Sequence, residues 1–250
     1  MGEKKKLLRR VLVAALVVVA VTCAGFVAWA SDYYHAGDAA TSMVAAGTAG
    51  PGEAGVAESP SWIAVGDPGS DTGLVLYPGA KVDPAAYVPL AAKLSERGVF
   101  VVIVKMPLNL AFFNIDAADS AMAEYPSVAH WWVSGHSLGG AMAASYAEGH
   151  ADKLEGVALL AAYGSESLAS TGLGIEVVYG SADGVVNRES LKKCMDTLPA
   201  GSVCEIEGGN HAGFGDYGPQ SGDGDATVSA DEQQEQAAEA ISAAIAAARR

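Results

Sequence analysis

The chain has 250 residues, half of them hydrophobic, and a formal net charge of −14. This length and apolar content indicate one sizeable globular domain with an appendage, and they exclude a largely disordered protein. The first ten residues, MGEKKKLLRR, carry five basic and one acidic side chain, a local charge of +4, which leaves −18 on the remainder. So acidic a body repels the phosphates of nucleic acids and anionic lipid surfaces, and neither is expected to bind the folded part.

An uninterrupted apolar segment follows the basic cluster at residues 11–30 and contains no charged side chain. As a helix with a rise of ~1.5 Å per residue it spans ~30 Å, the thickness of a bilayer core. The basic residues at 1–10 place the N-terminus in the cytoplasm and the rest of the chain outside. The stretch Ala28-Trp29-Ala30 also fits the cleavage pattern of a secretory signal. The length of the run favours a retained transmembrane anchor, and both interpretations export the body.

Residues 31–59 are rich in alanine and glycine and are interpreted as a linker, with room for a short helix before Gly47. From 60 to 250, strand and helix patterns alternate. Short apolar strand patterns lie at 61–66, 73–80, 99–107, 130–135, 156–164, 175–183 and 202–211. Helical patterns lie at 83–98, 114–126, 137–149 and 189–201, and a last helix begins at Ser229, where Glu232 completes a capping box. The alternation predicts an α/β fold with a mostly parallel sheet and helices on both faces.

Export also affects how the two cysteines of the body are interpreted. Cys194 and Cys204 would share a compartment in which thiols tend to be oxidised, so we predict a disulfide between them. In the alternative, both cysteines are free, because one lies on a helix and the other on a strand, too far apart to bond.

The stretch Gly135-His136-Ser137-Leu138-Gly139 has the form Gly-x-Ser-x-Gly. In a chain with 30 glycines this spacing alone is weak. Its position is more specific, because Ser137 lies between a predicted strand and a predicted helix. A sharp turn there holds the hydroxyl out from the sheet, and the first amides of the helix point at the same spot. Ser137 is therefore a candidate nucleophile.

A serine hydroxyl needs a base to remove its proton, and the base needs an acid to orient it. His211 follows the last predicted strand, in EGGNHAGFG, and Asp183 follows the preceding one, in VVYGSADGVV. The other histidines lie at positions that indicate structural roles or point away from the serine: His35, His130, His136 and His150. We therefore predict a triad in the order Ser137, Asp183, His211. The alternative is an ordinary turn aspartate and a loop histidine.

From about Thr72 to the C-terminal helix, the chain resembles the α/β-hydrolase superfamily, in particular the bacterial hydrolases related to the dienelactone hydrolase group. The stretches that carry the resemblance are YPGAKVDPAAYVPLA, VKMPLNLAFF, GHSLGGAMAA, YGSADGVV and GGNHAGFGDYGPQSGDG. The resemblance implies an α/β-hydrolase fold and an oxyanion hole built from the backbone N–H groups of Leu138 and Ala80. Two departures are visible. Dienelactone hydrolases use a cysteine nucleophile where this chain has Ser137, and many esterases have His-Gly-Gly-Gly where this chain has Tyr77-Pro78-Gly79-Ala80.

Two further groups of residues have alternative interpretations. Three acidic residues in GDYGPQSGDGDA suggest a calcium loop, but the motif's terminal bidentate glutamate is missing, which favours a solvated loop: Asp216, Asp223 and Asp225. Four aromatic residues either line an acyl pocket or belong to the core: Phe112, Phe113, Phe214 and Tyr217.

The sequence predicts an exported, membrane-anchored serine hydrolase that cleaves an ester or related acyl compound through an acyl-enzyme on Ser137. No metal or organic cofactor is implied. The expected partners are a small-molecule acyl substrate and, through residues 11–30, a membrane. Only about ten residues separate the strand ending near Gly164 from the next, so the large lid typical of lipases is not expected. The alternatives are an acyltransferase with the same triad and a non-catalytic binding protein on a hydrolase scaffold.

Overall fold

The computed structural model describes residues 2–48 and 55–249. The chain forms two compact units, Met1–Tyr33 and Tyr34–Arg250. The first unit consists of helix α1, Gly2–Ser31. Within it, Lys5–Ser31 is long and apolar enough to cross a membrane, and no other helix of the described residues is. This helix is compatible with a membrane anchor and with a signal sequence.

The second unit begins inside the segment that the sequence suggested as a linker. It contains helix α2, Asp38–Ala46, which ends at Gly47 in the left-handed conformation, and strand β1, Val56–Glu58. The Asp216 carboxylate caps α2 by accepting the N–H of Ala40 at 2.9 Å. The domain therefore extends back to Tyr34 rather than beginning at residue 60. The middle of the expected linker, residues 49–54, lies outside the described residues.

The described residues form an eight-stranded sheet with the order β1-β2-β4-β3-β5-β6-β7-β8. The strands after β1 are β2 Trp62–Val65, β3 Thr72–Tyr77, β4 Val99–Val104, β5 His130–His136, β6 Gly156–Leu160, β7 Gly174–Gly180 and β8 Val203–Ile206. The two pairings that involve β2 are antiparallel, and the other five are parallel. The prediction of a mostly parallel sheet is confirmed.

Helices cover both faces of this sheet, as predicted. The remaining α-helices are α3 Val88–Ser95, α4 Ala117–Glu124, α5 Leu138–Gly149, α6 Arg188–Met195 and α7 Ala230–Ala248. Short 3₁₀ helices lie at Pro84–Tyr87, Pro107–Asn109, Ala111–Phe113, Ala151–Lys153, Leu168–Ser170 and Ala212–Phe214. One apolar core joins the sheet to α3 and α7, and a second core on the other face joins it to α4 and α5.

Local sequence explains several of these boundaries. The run VFVVIV of β4 is buried at every position, as expected for a central strand covered on both faces. The Asp83 carboxylate accepts the N–H of Ala85 at the start of the 3₁₀ turn that leads into α3. At α7, the Ser229 hydroxyl accepts the N–H of Glu232 at 3.1 Å, and the Glu232 side chain returns to the Ser229 N–H. The predicted capping box is therefore confirmed.

Residues 161–173, between β6 and β7, contain no regular element longer than the 3₁₀ helix Leu168–Ser170. A large lid inserted at this point is therefore absent, as predicted. This connection leaves the carboxyl end of β6 uncovered by any inserted helical layer.

The predicted disulfide is wrong, because Cys194 and Cys204 are both free in the structure. Cys194 is buried on α6, the helix whose Leu191 packs into the core shared with α4 and α5. Cys204 lies on β8 and packs against the opposite core, which contains α3 and α7. The sheet lies between the two side chains, so a bond would require their Cβ atoms to approach through it. The alternative, with one cysteine on a helix and one on a strand, is what the structure shows.

Candidate active site

Ser137 occupies a strained turn at the carboxyl edge of the sheet. It lies between the end of β5 and the start of α5, with φ 54° and ψ −122°. Few residues other than glycine adopt a positive φ, and those that do often lie in functional sites. The Ser137 N–H donates to the carbonyl oxygen of Leu160 at 2.9 Å, which ties the turn to the end of β6. The strand, turn and helix therefore present Ser137 as the sequence predicted.

The glycines around Ser137 are required by close backbone contacts. A Cβ on Gly139 would collide with the carbonyl oxygens of Tyr77 and Pro78 at the end of β3. A Cβ on Gly135 would collide with the backbone of Gly139 across the turn. The Gly-x-Ser-x-Gly spacing is thus a packing requirement of this sharp turn.

Asp183 and His211 come together from the ends of β7 and β8. The His211 Nδ1 lies 2.9 Å from Oδ2 of Asp183, and both side chains are buried. Oδ1 of Asp183 accepts the N–H groups of Val185 at 2.8 Å and Val186 at 2.9 Å. Burial opposes ionisation of this carboxyl, but the His211 hydrogen bond and charge and the two backbone N–H groups outweigh it, so the pKa of Asp183 is lowered. An ionised carboxylate only accepts hydrogen bonds, so Nδ1 of His211 carries a hydrogen.

In a neutral imidazole, the other ring nitrogen of His211 is then an acceptor. Nε2 is buried and has no hydrogen-bond partner among the residues that the structure describes. Buried acceptors without a partner are rare in folded proteins and need an explanation. His211 and Ser137 line the same pocket, which has a volume of about 330 Å³.

Small and aliphatic side chains form most of this pocket. Its lining consists of Ser137, Leu138, Ala141, Ala161, Ala162, Tyr163, Val185, Val186, Asn187 and His211. Leu138 is the first residue of α5, and the N–H groups of a first helical turn have no partner within the helix. Ala80 lies in the turn after β3 and, within the described part of the chain, outside this lining. Of the two expected oxyanion residues, Leu138 contacts the pocket directly.

Asp223 is a functional candidate that the sequence did not identify. Its Oδ1 accepts the N–H of His211 at 3.1 Å and the N–H of Gly184 at 3.1 Å. Its Oδ2 accepts the N–H of Ala212 at 2.8 Å. One carboxylate thus holds the loop of His211 beside the residue that follows Asp183.

Two carboxylates of the loop that was considered as a calcium motif accept backbone hydrogen bonds. Asp223 braces the His211 loop, and Asp216 caps α2. In the described ranges, no group of three or more His, Cys, Asp or Glu side chains could hold a metal ion. The solvated-loop interpretation fits Asp225, which is exposed, but it does not fit the two hydrogen-bonded carboxylates.

A pair of buried glutamines on α7 also fixes the His211 loop. Gln233 accepts the N–H of Asn210 at 3.0 Å and donates to its carbonyl oxygen at 2.7 Å. Gln234 donates to the carbonyl oxygen of Gly213 at 3.3 Å. The sequence carried a signal for this contact, because both glutamines lie in the otherwise apolar stripe of α7 that continues through Ala237 and Ile241.

The remaining candidates do not line this pocket. Phe214 and Tyr217 are buried in the core, as their alternative interpretation proposed, whereas Phe112 and Phe113 are 44% and 47% exposed. His136 is buried, and its ring nitrogens contact the Tyr87 hydroxyl and the carbonyl oxygen of His211. His130 lies 3.0 Å from Glu155, and His150 stacks on Tyr146.

Residues 73–235 match the family described as "Alpha/beta hydrolase family". No curated protein matches the chain. Among solved structures, the chain is similar to Est1E from Butyrivibrio proteoclasticus, with 14% identity, a TM-score of 0.57 and coverage of 78% of this chain and 99% of that one. It is also similar to the monoacylglycerol lipase of Paleococcus ferrophilus, with 16% identity, a TM-score of 0.55 and coverage of 77% and 99%. These likenesses show the expected fold.

Proposed function

Because the chain belongs to the alpha/beta hydrolase family, we propose that it is a serine hydrolase with Ser137 as nucleophile, His211 as general base and Asp183 as the orienting acid. One observation carries the proposal. The Nε2 atom of His211 is buried without a hydrogen-bond partner in the described residues, and it belongs to a ring that Asp183 holds from the other side. Ser137 lines the same pocket, so its hydroxyl is the natural donor to Nε2.

The first half of the proposed reaction forms an acyl-enzyme. His211 Nε2 takes the proton of the Ser137 hydroxyl as Oγ attacks the carbonyl carbon of the ester. Negative charge develops on the carbonyl oxygen, where the backbone N–H groups of Leu138 and Ala80 are proposed to donate hydrogen bonds. The Asp183 carboxylate stabilises the imidazolium that forms. The tetrahedral intermediate collapses, and His211 returns the proton to the departing alcohol.

The second half releases the acid and regenerates the enzyme. A water molecule gives its proton to His211 Nε2 and attacks the acyl carbon, which forms a second tetrahedral intermediate at the same oxyanion site. Its collapse breaks the bond to Oγ, and His211 returns the proton to Ser137. An alcohol in place of water would give acyl transfer, the alternative that the sequence left open.

A fluorophosphonate probe tests the proposal on the full chain in detergent. We expect the probe to label Ser137 alone, as mapped by peptide mass spectrometry, because Ser137 is the serine that shares a pocket with the proposed base His211. Ser137→Ala should abolish labelling, while Ser127→Ala, which removes an exposed serine hydroxyl bonded to the carbonyl oxygen of Pro68, should not affect it. Labelling that survives Ser137→Ala would contradict the assignment.

Localisation forms a second part of the proposal. We propose that α1 is retained as a single anchor, with residues 1–10 in the cytoplasm and the catalytic domain outside. The support is the candidate membrane span from Lys5 to Ser31, whose uncharged part covers residues 11–30, and the basic residues that lie before that uncharged part. N-terminal sequencing of the mature protein tests retention, and a new N-terminus just after Ala30 would indicate a cleaved signal instead.

A further inference from the structure

A buried chain of hydrogen bonds connects the turn after β3 to the backbone of His211. The Gly79 N–H donates to the hydroxyl oxygen of Tyr87 at 2.9 Å. The Tyr87 hydroxyl lies 2.8 Å from Nδ1 of His136, and Nε2 of His136 lies 3.0 Å from the carbonyl oxygen of His211. Tyr87 and His136 are 0% and 1% exposed, so water does not compete for these bonds.

The chemistry of the groups fixes the direction of every bond in this chain. The carbonyl oxygen of His211 can only accept, so Nε2 of His136 carries the hydrogen. In a neutral imidazole the other nitrogen is then a bare acceptor, and it takes the hydroxyl hydrogen of Tyr87. The Tyr87 oxygen in turn accepts from Gly79. A single arrangement of hydrogens satisfies all four residues, which is the condition under which a buried polar network rigidifies a site.

Both rings of the network remain uncharged in this environment. Burial, and then the charge of the neighbouring His211, lower the pKa of His136 well below its usual value. Burial raises the pKa of the Tyr87 phenol. The rings around His136 leave little room for a different packing, since the His211 ring centroid lies at 4.6 Å and that of Phe214 at 5.8 Å.

The two ends of this hydrogen-bond network lie at two parts of the proposed catalytic site. Gly79 immediately precedes Ala80, the proposed second oxyanion donor, and His211 is the proposed base. We propose that Tyr87 and His136 are positioning residues that fix the distance between the oxyanion turn and the loop of the base. In the described part of the protein, neither Tyr87 nor His136 lines the pocket beside Ser137. Both would therefore affect catalysis only through Gly79 and His211. The inference rests on the proposed function.

Tight packing at Gly79 supports this reading of the contact. A Cβ at this position would lie 2.8 Å from Nδ1 of His136 and 3.0 Å from the Tyr87 hydroxyl. The turn is therefore in direct contact with both side chains, and a shift of either ring moves the backbone that carries Ala80. Misplacement of reacting groups by about 1 Å can cost about 100-fold in rate.

Tyr87→Phe tests the inference, because it keeps the ring and removes only the two hydrogen bonds of the hydroxyl. We expect kcat for p-nitrophenyl acetate, measured on the full chain in detergent, to fall roughly 10- to 100-fold with KM nearly unchanged. Affinity for an alkylboronic acid, whose tetrahedral adduct with Ser137 mimics the oxyanion, should fall with kcat/KM. His136→Gln, which keeps a donor for the His211 carbonyl oxygen, should retain more kcat than His136→Phe.

Tyr146→Phe is the matched control. Tyr146 is also buried, and its hydroxyl donates to Asp119 on the other side of the sheet from Tyr87. We expect it to lower Tm comparably and to leave kcat and boronate affinity unchanged below Tm. Full kcat in Tyr87→Phe, or an equal loss in Tyr146→Phe, would overturn the inference alone. A wild-type chain that neither hydrolyses the ester nor reacts with a fluorophosphonate would overturn the proposed function and, with it, this inference.

Discussion

The carboxylate of Asp223 accepts the backbone N–H of His211 at 3.1 Å. The same oxygen accepts the N–H of Gly184, the residue after Asp183, at 3.1 Å. A residue outside the proposed triad thus joins the two loops whose side chains form the Asp183–His211 pair. Together with Gln233 on α7, it leaves the loop of the base with little freedom, because these two side chains bond the backbone of Asn210, His211 and Ala212.

Asp223→Ala should therefore lower both stability and catalysis. It removes the acceptor of four backbone N–H groups, three of them partly buried, and a typical intramolecular hydrogen bond contributes about 1 kcal/mol to stability. We expect a lower Tm and a fall in kcat, measured with p-nitrophenyl acetate, because His211 loses its fixed position. Asp225→Ala removes an exposed carboxylate two residues away and should have neither effect. Added calcium should not change Tm, and a calcium-dependent rise would contradict this account of the loop.

The triad should behave as a single unit when its members are removed. In such a unit, losing the nucleophile or the base costs up to ~10⁶ in kcat, and losing the acid costs less. Ser137→Ala and His211→Ala should each reduce kcat to a small fraction of the wild-type value. The double mutant should have nearly the same kcat as either single mutant, and Asp183→Asn should retain more activity than both. His150→Ala is the control, since its ring stacks on Tyr146 away from the pocket. The roles assigned here would be contradicted if the fold-loss of kcat in the double mutant equalled the product of the two single losses. They would also be contradicted if His150→Ala lowered kcat as much as His211→Ala.

The stability of the domain should depend on pH through Glu176, a carboxyl on β7 that is 5% exposed. Burial raises the pKa of Glu176 from 4.5 to about 7. Because the pKa is higher in the folded state, this pH-dependent penalty is absent below pH 4.5, and stability falls as pH rises from 4.5 through 7. The loss reaches about 3 kcal/mol at 1.36 kcal/mol per pKa unit.

Urea titrations of Glu176→Gln at two pH values measure this effect. The variant should unfold with a higher free energy than wild type at pH 8, and the difference should shrink by pH 5. Glu166→Gln, at an exposed position between β6 and β7, should match wild type at both values. A Glu176→Gln variant no more stable than wild type at pH 8 would show that the carboxylate is compensated in the folded state.

Local pattern was sufficient to predict the central sheet and the placement of Ser137, Asp183 and His211. Each of these residues follows a short apolar strand, and the carboxyl ends of parallel strands meet at one edge of a sheet. The short helix allowed before Gly47 is present as α2, but its attachment to the domain was missed. The partner that caps α2, Asp216, lies 176 residues from Ala40, and composition alone does not reveal so distant a contact.

The cysteines and Asp223 show two further limits of sequence pattern. The sequence pattern placed Cys194 on a helix and Cys204 on a strand. It did not show that the two cysteines lie on opposite sides of the sheet. Asp223 belongs to a loop rich in glycine and acidic residues, and composition alone does not separate a solvated carboxylate from one that accepts four backbone N–H groups.

The pocket beside Ser137 should limit the length of the acyl group. Its volume of about 330 Å³ and its lining, which includes Ala141, Ala162, Val185 and Val186 but no acidic or permanently charged side chain, favour a short, uncharged acyl chain. We expect kcat/KM to decline from p-nitrophenyl acetate and butyrate to octanoate. Ala162→Leu should fill part of the pocket and reduce the rate on butyrate more than on acetate, while Ala169→Leu, in the 3₁₀ helix Leu168–Ser170 outside the lining, should leave the ratio unchanged. A kcat/KM that rises towards octanoate would mean that the acyl chain binds outside this pocket. In a separate assay, formation of a new ester with an added alcohol would identify acyl transfer as the reaction of the acyl-enzyme.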